Sequence, residues 1–360
     1  IIEKTNQEDI DIEFAIDNKK KVYILQIRNL IIPKGKLYQT DNRINEFNKL
    51  SKKINKLKKK NISLFGETTY FGNMPDWNPA EIIGSKPKPL ALSLYQELIT
   101  NHVWSENRLK YGYNDLSQFH LMTTFFGTPY VDVRIDFNSW LPKTLGKKIS
   151  NKLIGYYLKK FRLNKTNQDK VEFNILFTCL TFSTKKRIEK ELKKILNKKE
   201  KIIFYKSLEE LNLQALKQKE KDKELINHLI FRQSEIDKSD MYEIDKIYWL
   251  VEDCKKFGTL PFAGLARCGF IAMDILKSLN NNKMINNDEY SSFLESIETV
   301  TSQMKIDLNT VSKKRFLEKY GHLRPGTYEI TNKNYRENFK EYFGNIKKNK
   351  VNHKKLKFSL

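Results

Sequence analysis

Asp11-Ile12-Glu13-Phe14-Ala15-Ile16-Asp17 alternates apolar with polar side chains, and so does Val22-Tyr23-Ile24-Leu25-Gln26-Ile27-Arg28. Asp17-Asn18-Lys19-Lys20-Lys21 between them has turn chemistry, so the two runs predict a β-hairpin. A lone hairpin is marginal in water. Its remaining sheet is therefore expected elsewhere, and the chain is expected to be the downstream piece of something larger. On their strands Glu13, Gln26 and Arg28 fall at alternating positions that can share a face. Carboxylate and amide oxygens suit a hard cation and a guanidinium suits phosphate, although an ordinary polar sheet face has the same composition.

Outward from the hairpin the pattern turns helical. Ile44, Phe47, Leu50, Ile54 and Leu57 form one stripe over residues 41–60, a connector that ends in a basic run. Gly, Pro, Asn and Asp cluster over 62–88, and Pro89 fits the first turn of a helix over 89–111. Residues 119–140 read as short strands or extended loop. Helices are predicted over 142–162, 168–200, 205–232, 240–257, 261–281, 287–308 and 312–320, with the Lys/Glu-rich stretch 184–224 on the solvated outside. The class is therefore mainly α (α+β), a helical central domain behind an N-terminal hairpin.

Among 360 residues, 66 Lys+Arg outweigh 43 Asp+Glu, giving a formal charge of +23. Only 11 of the basic residues are Arg, which points to a lysine-solvated surface rather than bidentate phosphate or base recognition. No nucleic-acid motif accompanies the charge, so a nucleic-acid partner is not expected. No apolar run reaches the roughly 20 residues of a membrane helix, and the first residues do not read as a signal peptide. The 3 cysteines lack a CxxC and suit a cytoplasmic setting.

Three further stretches carry polar groups in shaped backbone. Met74-Pro75-Asp76-Trp77-Asn78-Pro79-Ala80-Glu81 is a proline-bracketed loop that can set Asp76, Asn78 and Glu81 against a ligand or spend them on its own backbone. Over residues 127–139, strand alternation puts Asp132, Arg134 and Asp136 on one face, as a substrate clamp or an ion-pair network, with Asn138 following. In Gly321-His322-Leu323-Arg324-Pro325-Gly326-Thr327, His322 and Arg324 sit beside a bend, where they can contact an anion or cap helix carbonyls.

The hairpin resembles the closing motif of the ATP-grasp domain in the phosphoenolpyruvate synthase and pyruvate phosphate dikinase family, with Asn29 where that family has proline. The resemblance implies that Glu13 and Gln26 help hold Mg²⁺ and ATP and that Arg28 contacts the phosphates. MPDWNPAEIIG (74–84), GTPYVDVR (127–134) and GHLRPGTYEI (321–330) are similar to the central domain of a subgroup linked to surface-polysaccharide biosynthesis. Among these, the likeness is nearest to members acting on the amide nitrogen of L-glutamine in capsular phosphoramidate formation.

The resemblance implies four parts. Residues 1–32 would end the ATP-grasp domain, 33–60 connect, 61–343 bind the acceptor, and 344–360 lead toward a phosphohistidine domain. It implies Asp76, Glu81, Arg134, His322 and Arg324 as catalytic candidates, with Asn78, Asn138 and Thr327 contacting substrate. None of the 5 histidines stands in a Ser/Thr-rich loop leading into a helix, so the carrier histidine is expected on another domain. The helical region lacks the alternating strands of a (β/α)₈ barrel, which disfavours pyruvate as acceptor. A basic nucleic-acid-binding protein and a non-catalytic scaffold are the competing classes.

Overall fold

The computed structural model describes residues 10–29, 43–163, 168–324 and 332–344, with backbone alone at 10, 11, 28 and 29. Among the described residues helices make up 63% and strands 8%, so the class is mainly α.

The hairpin forms as predicted. β1 (Ile10–Ile16) pairs antiparallel with β2 (Val22–Asn29), placing Glu13 opposite Gln26 across a bulge after Glu13. Asp17 closes the turn by accepting from the Lys19 and Lys21 amides at 2.8 and 2.9 Å, and Lys20 takes the left-handed conformation. Those amides and the Tyr23 hydroxyl hold the Asp17 carboxyl below its usual range, the Lys21 amide foremost. Phe14, Ile16, Leu25 and Ile27 are exposed.

α1 (Arg43–Lys58) follows, with Ile44 and Phe47 exposed and the stripe half-buried from Leu50 onward. β3 (Phe71–Gly72) then joins β4 (Met122–Phe125) and β5 (Thr128–Asp132) in a small antiparallel sheet of order β3-β5-β4. Phe126 and Gly127 both have positive φ, as a two-residue hairpin turn requires.

Residues 133–139 depart from the strand expectation. They form helix α5 (Val133–Ser139) because Asp132 accepts from the Arg134 and Ile135 amides at 3.0 and 3.1 Å and caps its start. Buried Thr69 donates a further 2.5 Å bond to the same carboxylate. Asp132, Arg134 and Asp136 therefore do not share a strand face. The 89–111 helix is also interrupted. α3 (Pro89–Tyr95) widens into a π-turn at Gln96–Thr100 before α4 (Val103–Lys110).

α6 (Lys147–Leu163) buries Leu153, Ile154 and Tyr157 in the main core. The predicted 168–200 helix breaks into short α7 (Val171–Asn174), a non-helical stretch and α8 (Thr184–Glu191). Core side chains Ile175, Leu176 and Phe177 fall in the break. α9 (Lys198–Lys238) begins at an Asn197/Glu200 capping box and runs 41 residues. It is not simply a solvated outer helix, since Phe204, Leu208, Leu211 and Ala215 enter the core.

α10 (Glu243–Asp253), a π-turn at Cys254–Thr259 and α11 (Leu260–Asn281) make one continuous helix. Pro261 has no amide to donate to the previous turn, and the wider π-turn carries the helix past it. Glu243–Asn281 is thus long and apolar enough to cross a membrane by length and composition, which corrects the count from uninterrupted apolar runs. Here α11 packs against α9 and α4. α12 (Asn287–Ser296), α13 (Val300–Thr310), α14 (Lys313–Tyr320) and α15 (Phe339–Phe343) complete the described chain.

Candidate functional site

The proline-bracketed loop folds onto itself before it meets anything else. The Asn78 side chain accepts from the Glu81 amide at 3.2 Å and caps α2 (Pro79–Ile82). The Asn78 amide donates to the Pro75 carbonyl at 2.8 Å, and the buried Tyr95 hydroxyl donates to the carbonyl of Trp77, a residue with positive φ. Asn78 thus spends its side chain on the loop's own backbone, and it lines a cavity with Asp76 and Glu81.

The cavity is about 370 Å³, in the size range of small-molecule sites, and Phe173, Phe262 and Phe270 give it apolar walls. Its opposing charges are placed deep. The Arg108 guanidinium, from α4, donates to Asp76 Oδ2 at 2.6 Å, with side-chain exposures of 6% and 13%. It lies 3.4 Å from the Trp140 ring centroid, and the Arg267 guanidinium, from α11, lies 4.9 Å from the same ring. Two cations thus share one aromatic platform.

Arg267 is ion-paired with Glu172 and donates to Thr178 Oγ1 at 3.1 Å. Burial draws its pKa down, as it does for any cation denied water. The Nε–H groups of both arginines are buried without a hydrogen-bond partner. Such orphaned donors cost free energy that a ligand acceptor or a water would recover.

Asp136 fixes the platform by accepting from Trp140 Nε1 at 2.8 Å. Burial, helped by the nearby charge of Asp76, pushes the Asp136 carboxyl well above the usual carboxylate range. Glu81 is exposed. The arrangement offers a ligand guanidinium donors and carboxylate acceptors within one small, aromatic-lined space.

The other expected site residues lie apart from it. Arg134 donates to the carbonyls of Leu57 and Lys59, both at 3.0 Å, and so caps the end of α1. Asn138 holds the Phe65 backbone through its amide and carbonyl, at 2.9 Å each. His322 and Arg324 are exposed after α14 and are not cavity walls; Arg324 donates to the Asn332 carbonyl at 2.7 Å. Glu13 and Gln26 face each other in the hairpin. The Arg28 side chain, Thr327 and residues 345–360 lie outside the described residues.

Arg108, Trp140, Glu172 and Arg267 were not anticipated. One sign of Arg267 was available: it is the single charged residue in the otherwise apolar run Leu260–Met273, where a charge is buried only with partners. Comparison with protein-family models, with curated proteins and with solved structures finds no match.

Proposed function

We propose that the chain is the acceptor-binding part of an ATP-dependent phosphotransferase that works through a phosphohistidine carrier, with L-glutamine as acceptor. The overall reaction is ATP, L-glutamine and water giving AMP, phosphate and glutamine phosphorylated on its amide nitrogen. The observation that carries this reading is the cavity in which Arg108 pairs with Asp76 and Arg267 with Glu172, with Glu81 also in its wall. A zwitterionic amino acid presents a carboxylate to the first kind of group and an ammonium to the second.

In this reading the guanidiniums take the ligand carboxylate, and their unpartnered Nε–H groups are donors already in place. The phenylalanine walls place apolar surface beside the transferring group. An amide nitrogen is a weak nucleophile, so a carboxylate receiving its proton lowers the barrier. Glu81 is suited to that step because it is exposed at the cavity, whereas Asp76 Oδ2 is engaged by Arg108. Asp76 then orients Arg108.

Among the described residues no cluster of His, Cys, Asp or Glu could hold a metal unaided. Glu13 opposite Gln26 supplies two adjacent oxygen ligands, consistent with Mg²⁺ bound jointly by protein and nucleotide phosphates. Such an ion would neutralise the phosphate charge of ATP.

The test is ³¹P NMR of the chain with the ATP-grasp and phosphohistidine domains of its parent protein, ATP and L-glutamine. AMP together with a phosphorus–nitrogen resonance is expected. AMP without that resonance, or with phosphate on another acceptor in the same panel, refutes glutamine as the acceptor.

A further inference from the structure

A second cavity, of about 420 Å³, shares Phe173 with the first and opens between α8 and the C-terminal half of α11. Arg187 of α8 is held rigidly in its wall. Its Nε donates to Glu191 Oε1 at 2.9 Å, its Nη1 donates to the Phe173 carbonyl at 3.3 Å, and its guanidinium carbon lies 4.1 Å from the Phe177 ring centroid. The remaining corner, Nη2, is buried with no acceptor. Glu191 does not cancel this cation, because it also takes Lys160 Nζ at 2.7 Å and the Tyr156 hydroxyl at 2.8 Å.

Lys277 of α11 stands at the same cavity, its ammonium 4.6 Å from the Phe173 ring centroid. Asp274 is the further carboxyl in the wall, with the Cys179 thiol donating to it at 3.7 Å. Burial raises the Asp274 carboxyl above its ordinary range. The hydroxyls are largely occupied: Ser278 donates to the Ile275 carbonyl, and Thr181 and Thr184 bond each other.

We propose that this second cavity binds the oxyanion group of a small molecule, a carboxylate or a phosphate, on Arg187 Nη2 with Lys277 closing from the rim. A guanidinium held on two sides has lost its side-chain freedom before the ligand arrives, which favours binding. The oxyanion also supplies the acceptor that Nη2 lacks. This site is independent of whether glutamine fills the first cavity.

The test is calorimetric titration of the chain with inorganic phosphate and, separately, with succinate, at constant ionic strength. Saturable one-to-one binding of at least one is expected, and which one binds identifies the oxyanion. Arg187→Gln should abolish it. Because Arg187 also ties α8 to Phe173, Lys277→Gln at an exposed position is the second variant, expected to weaken binding about three- to tenfold. Lys86→Gln, at an exposed lysine lining neither cavity, should leave it unchanged. No saturable binding of either probe, or equal weakening by Lys86→Gln and Lys277→Gln, overturns the proposal.

Discussion

Gly264→Ala tests how α11 is seated, and the sign of its effect separates packing from propensity. Gly264 lies on the face of α11 toward α9 and Tyr111. An added Cβ would meet Tyr111 Oη at 2.5 Å and Cε2 at 2.7 Å, and the Asp222 carboxylate closer still. Those groups form a buried bond, with the Tyr111 hydroxyl donating to Asp222 Oδ2 at 2.5 Å. Burial and the Asp222 carboxylate push the Tyr111 pKa up, so the hydroxyl stays a donor.

Overpacking costs about 1–3 kcal/mol. Loosening a hydrogen bond to a charged acceptor adds about 1.5–3 kcal/mol where the bond is broken outright. Alanine returns about 1 kcal/mol of helix propensity. With the bond broken, the net expectation is a loss of about 1.5–5 kcal/mol. Urea unfolding followed by circular dichroism measures it. Because Arg267 lies one turn further along α11, tryptophan fluorescence should also shift as the guanidinium moves on Trp140. Unchanged or increased stability, as propensity alone dictates, refutes the packing described for α11.

Arg134→Gln should lower stability by about 1–3 kcal/mol by releasing the end of α1, while leaving ligand affinity at the first cavity unchanged. Thermal melting and a glutamine titration of the same variant read the two effects separately. Lys319, Tyr320 and Gln303 all donate to Asp307 and hold its carboxyl at about 2. Its folded pKa lies below its unfolded value, so its contribution is present above about pH 4 and is lost as pH falls toward 2. Asp307→Asn should therefore lower the melting temperature at pH 7 and make a diminishing difference toward pH 2. Trp140→Leu should remove the surface under both guanidiniums and weaken any anionic ligand of the first cavity, read by calorimetry.

The hairpin was legible because its information is local: alternation sets the strands, and Asp17 alone satisfies two amides of the turn. Helix existence was legible for the same reason. What failed was decided at longer range. VDVRIDFNS alternates like a strand, yet Asp132, bonded by Thr69 from 63 residues away, caps it as a helix. The charge pattern of α9 describes its outer face and is silent about Phe204 and Leu208, which meet the core.

The site divides similarly. Asp76 and Glu81 were visible as polar residues in a constrained loop. Arg108 and Trp140 acquire meaning only when α4, α5 and α11 converge. Arg134 and Asn138 looked available in one dimension and are occupied by backbone partners in three.

The central claim is that the first cavity receives a zwitterionic amino acid, and calorimetric titration of the chain with L-glutamine tests it most directly. Saturable one-to-one binding is predicted, weaker for N-acetyl-L-glutamine, which lacks the ammonium, and weaker in Asp76→Asn. The absence of saturable binding, or equal affinity for the acetylated ligand and in the Asp76→Asn variant, would contradict it.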